Sequence, residues 1–65
     1  MKYTISNNGL QQLQQLSNIC GDSIEKLQEN YLIRMEIYVE HCGLSHNEAE
    51  AESIDDLTNL LGGSQ

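Results

Sequence analysis

The chain has no proline, no tryptophan and no phenylalanine, and its basic residues are Lys2, Lys26 and Arg34 alone, against ten acids. Without proline, helix ends must be marked by capping residues and glycine. Without Phe or Trp, the core must come from Leu, Ile, Met, Val and three tyrosines. A net charge of −7 over 65 residues speaks against holding nucleic-acid phosphates, which is done with Lys and Arg. It favours instead a basic protein surface. Two cysteines, Cys20 and Cys42, do not make a disulfide framework. No apolar run approaches membrane-spanning length, and Met1-Lys2-Tyr3-Thr4 opens no apolar signal core. The expectation is a cytoplasmic protein with free thiols and no membrane contact.

What is present is a threefold punctuation. Asn8 with Gln11, Asp22 with Glu25 and Ser45 with Glu48 each read as a helix start, and Gly21, Gly43 and Gly62 as the matching stops. The fold class follows: all-α, a small three-helix bundle with helices at about 9–20, 22–42 and 46–61, an N-terminal arm over 1–7 and a tail over 62–65. Helix 1 carries the stripe Leu10, Leu13, Leu16 and Ile19 among uncharged glutamines. Helix 2 carries Ile24, Leu27, Tyr31, Met35, Tyr38 and Cys42, with a second set, Leu32, Ile33, Ile37 and Val39. So wide an apolar surface needs cover from two sides, which makes helix 2 central. Helix 3 carries Ala51, Ile54, Leu57 and Leu61, supported by Ala49 and Leu60.

Chains this short bury only about 60% of their unfolded surface and often recruit a partner subunit. Together with the width of helix 2, this predicts a homodimer formed through Tyr31, Arg34, Met35 and Tyr38. Arg34 could stack on a tyrosine or pair with Asp55 or Asp56. The acidic residues Glu36, Glu40, Glu48, Glu52, Asp55 and Asp56, with Glu50, read as a partner-binding face on helices 2 and 3.

Other chemistries find less support. His41, Cys42 and His46 lack the fourth ligand and the paired spacing of a structural zinc site, so neither metal nor cofactor is expected. His41 and Cys42 are sequence neighbours and point about 100° apart on a helix, so no nucleophile–base pair forms and no enzyme is read. The tight Gly43-Leu44 turn invites a helix-turn-helix transcription regulator, yet its second helix presents acids where base readers need Arg, Lys, Asn or Gln.

The stretch from Arg34 to Glu50 resembles a helix–turn–helix segment of phage- and plasmid-borne replication and primase-type proteins. The matching positions are Arg34, Ile37, Gly43, Leu44, Ser45, Glu48, Ala49 and Glu50. That segment often has Gly where this chain has Cys42 and Ala where it has Ser53. The resemblance covers about a quarter of the chain, implies a mobile-element setting and carries over no catalytic residue. The sequence reading is an acidic adaptor or inhibitor that occludes a basic, nucleic-acid-binding surface of a host protein. The alternatives are a homo-oligomerisation module and the helix-turn-helix regulator.

Overall fold

The computed structural model describes residues 3–62; the start of the arm (residues 1 and 2) and most of the tail (63–65) lie outside the described residues. Three helices pack on one another: α1 (Asn7–Cys20), α2 (Ile24–Glu36) and α3 (His46–Leu57). There is no strand among the described residues. The all-α three-helix bundle is therefore the fold. Both α2 and α3 run on without a break into one wide, π-helical turn, Ile37–His41 after α2 and Thr58–Gly62 after α3.

One of the three caps stands where expected. Ser45 and Glu48 form a reciprocal capping box: Glu48 N–H donates to Ser45 Oγ and Ser45 N–H to Glu48 Oε1, both at 3.2 Å. The other two are corrected. Ser6, not Asn8, caps α1 by accepting from Gly9 N–H at 3.1 Å, and Ser23, not Asp22, caps α2 by accepting from Lys26 N–H at 3.2 Å. The side chain of Ser6 also donates to Glu50 of α3, a tertiary bond that no local pattern records. The carbonyl of Asp22 is taken by the Ser17 hydroxyl.

Gly21 (φ 85°) and Gly43 (φ 76°) close their helices in the left-handed region, where a Cβ would be strained. After Gly43 the Leu44 N–H reaches back to the Tyr38 carbonyl at 3.0 Å, which satisfies an orphan carbonyl across the wide turn. Gly62 is different. It lies inside the last turn and packs closely on α1: a Cβ there would stand 2.5 Å from Leu16 Cδ1, which would have to shift.

The core joins Leu13 and Leu16 of α1, Leu27, Tyr31 and Met35 of α2, and Ala49, Ile54 and Leu57 of α3. Helix α2 packs against both other helices, and α1 and α3 also touch. Two expected stripes shift. Ile19, Leu60 and Ala51 are exposed, whereas Ile54, Leu57 and Ala49 are buried as expected; Ser53, four residues from Ala49 and wholly buried like it, joins the inner row of α3. Small side chains there let α3 approach its neighbours closely. The arm closes the remaining side: Ile5 packs on the core, and the buried Tyr31 hydroxyl donates to the Thr4 carbonyl at 3.0 Å.

Candidate protein-binding surfaces

The residues expected to face a second protomer divide. Tyr31 is 1% exposed and Met35 0%, so both belong to the molecule's own core and cannot line an interface. The reason is that α1, α3 and the arm together supply the cover that helix 2 was expected to seek elsewhere. Arg34 and Tyr38 are spoken for as well. Arg34 Nη1 pairs with Asp56 Oδ2 at 3.3 Å, and the Tyr38 hydroxyl donates to the same oxygen. This hydrogen bond, with desolvation and the nearby Asp56 and Glu52 charges, raises the Tyr38 pKa above its ordinary value.

The acidic residues do not share one surface. Asp56 is turned into the α2–α3 contact. Glu48 serves the cap of α3. Glu50, half-buried, accepts from Ser6 at the N-terminus of α1, where a carboxylate complements the helix dipole. Glu40 accepts from the Tyr3 hydroxyl at 2.6 Å. Asp55 accepts from Asn59 Nδ2 at 3.5 Å one turn along and stays exposed beside Glu52 on α3. Glu36 is exposed on α2, about 200° around the helix from Arg34, and so looks away from α3.

That second flank of α2 holds a juxtaposition only half visible in the sequence. Ile33 and Ile37 are 55% and 46% exposed and stand one turn apart, opposite the buried Leu27–Tyr31–Met35 row. Glu29, Glu36 and Glu40, spaced seven and four residues apart, run alongside them. Glu29 was not among the expected site residues; its helical register with Glu36 is the signal that would have found it. Beside this ridge, a groove of about 580 Å³ opens between the arm and α2, with Tyr3, Ile5 and Leu32 as its apolar wall and Glu25, Lys26 and Glu29 at its charged rim.

Cys20 and Cys42 are unbridged, half-buried and exposed respectively. Among the described residues no group of three or more His, Cys, Asp and Glu is placed to hold a metal ion, and no helix is long and apolar enough to cross a membrane. Comparison of the chain with protein-family models, with curated proteins and with solved structures finds no match.

Proposed function

We propose that this protein is a small acidic adaptor or inhibitor, a binding protein and not an enzyme, which covers a basic surface of another protein, of the kind that otherwise holds nucleic-acid phosphates. The observation that carries this reading is the Ile33–Ile37 ridge bordered by Glu29, Glu36 and Glu40. Apolar anchors supply desolvated contact, and flanking carboxylates supply steering and register. Glu52 and Asp55 extend the negative field on α3. Arg34, already paired with Asp56, does little to offset it. The likeness of residues 34–50 to mobile-element proteins supports a host protein as the target.

The test is capture from a cell lysate by the immobilised chain at about 0.1 M salt, where the screening length is about 10 Å, followed by competition with duplex DNA. Captured basic proteins should be displaced by DNA, and capture should fail for the triple variant Glu29→Lys, Glu36→Lys, Glu52→Lys. All three side chains are exposed, and none makes a hydrogen bond or ion pair to another described residue, so helicity should persist. Capture that survives both the triple variant and the DNA rules the reading out.

A further inference from the structure

The charge of this molecule is segregated. No residue of α1, from Asn7 to Cys20, is charged, and none is from Thr58 to Gly62, although the chain as a whole carries −7. These two segments meet at one end of the bundle, where a Cβ on Gly62 would lie 4.0 Å from Ile19 Cγ2. The two most exposed large apolar side chains of the described residues sit there, Ile19 at 69% and Leu60 at 62%. The remainder of the exposed α1 surface is amide, Asn7, Asn8, Gln11, Gln12, Gln14, Gln15 and Asn18, and acids meet it only at one edge, where Asn8 and Gln12 share a groove with Glu50 and Asp55 of α3.

We infer that this neutral face binds a second copy of the same chain. Two bodies of like charge repel wherever their acidic surfaces approach, so a self-contact is least opposed where neither copy bears charge. Amides suit such a contact in a way carboxylates do not. Each amide both donates and accepts, so one patch can satisfy an identical patch across a twofold axis. Ile19 and Leu60 provide the apolar centre that an interface core requires. A second protein of opposite charge would instead be drawn to the acidic flanks, which leaves a like copy as the occupant this face fits. The patch has eleven exposed residues in α1 and the final turn. A standard interface uses about 20–30 residues a side. The dimer is therefore a weak one, with a dissociation constant on the order of 10–1000 µM. This inference is independent of the proposed function, which uses a different face.

Sedimentation equilibrium of the full chain up to about 1 mM, in about 0.1 M and about 1 M sodium chloride, tests it, because the screening length falls from about 10 Å to about 3 Å between them. Dimerisation should tighten several-fold as salt rises. The double variant Ile19→Glu, Leu60→Glu should weaken it at least about tenfold, whereas Ile33→Glu, Ile37→Glu, which adds the same two charges elsewhere, should leave it within about threefold. Circular dichroism checks that each variant folds; if the glutamates perturb helicity, Ile19→Gln with Leu60→Gln replaces them, with the same loss expected. A chain still monomeric at the highest concentration and salt, a dimer that loosens with salt, or one insensitive to the changes at 19 and 60 overturns the inference, as does loss of the dimer on changing 33 and 37.

Discussion

Arg34 and Asp56 meet at 3.3 Å across the α2–α3 contact, and Tyr38 donates to the same carboxylate oxygen. Two donors, one from the last turn of α2 and one from the wide turn that follows it, thus converge on one acceptor of α3. Both charged side chains remain about a third exposed, so solvent screens the pair. Asp56→Asn should lower the unfolding free energy by about 0.5–1 kcal/mol, read by urea denaturation at neutral pH. The same variant should bring the Tyr38 pKa back toward its ordinary value, since the hydrogen bond to Asp56 is the leading cause of its rise. Alkaline ultraviolet titration of the tyrosines would register that change, and an unmoved Tyr38 titration would count against the bond.

Tyr31 gives the fold a defined alkaline limit. Burial, with the Glu50 charge adding to it, pushes its pKa from 10.0 up to about 12. Between these values the unfolded chain releases the phenolic proton and the folded chain retains it, so stability declines as pH rises. Its contribution is fully present below pH 10 and is lost as pH climbs from 10.0 toward 12. The slope from this one group is at most about 1.4 kcal/mol per pH unit. Stability measured from pH 8 to pH 11 should bend downward near pH 10, and Tyr31→Phe should flatten the bend. At neutral pH that variant should be weaker by about 1 kcal/mol, because the Thr4 carbonyl loses its donor.

Ser53 is wholly buried on α3, and its hydroxyl has no hydrogen-bond partner among the described residues. Removing a buried polar group that lacks a partner removes its desolvation penalty, and alanine is the better helix former. Ser53→Ala should raise stability by about 1 kcal/mol, seen as a higher thermal midpoint. A destabilised Ser53→Ala would mean that the hydroxyl is in fact bonded.

Gly9→Ala should go the other way despite alanine's propensity. A Cβ at Gly9 would stand 3.0 Å from both Ile5 Cγ1 and Ile54 Cδ1 and would crowd the Glu50 carboxylate. Gly to Ala on its own gains up to about 1 kcal/mol in a helix. Displacing Ile54 from the core and Glu50 from its bond to Ser6 should outweigh that, for a net loss of about 1 kcal/mol in chemical denaturation.

The helices were legible because their signals are local and redundant. Ser45 and Glu48 satisfy each other within one turn, and Gly21 and Gly43 sit where a left-handed residue is needed. The choice between Ser6 and Asn8, or Ser23 and Asp22, was not legible, since neighbouring polar residues are near-equivalent caps and a contact from Glu50 helps to decide the first. The partner of Arg34 was readable as chemistry but not as register; Asp56 faces α2 while its neighbour Asp55 stays exposed, and only the tertiary packing selects between them. Ser53 hid in the core because its polarity masked the small-residue spacing it shares with Ala49. The dimer surface placed on Tyr31 and Met35 failed for a related reason. The arm and α1 contribute cover that a stripe width, counted on one helix, does not include.

The bond between Ser6 and Glu50 joins positions 44 residues apart. It ties the cap residue of the first helix to a side chain of the third. A chain interrupted before Glu50 would keep the local Ser6 cap of α1 but lose the carboxylate that the Ser6 hydroxyl donates to. Closing the loop from Ser6 to Glu50 costs more chain entropy than closing either short interhelical turn, so this carboxylate reaches the start of α1 only when the third helix has docked.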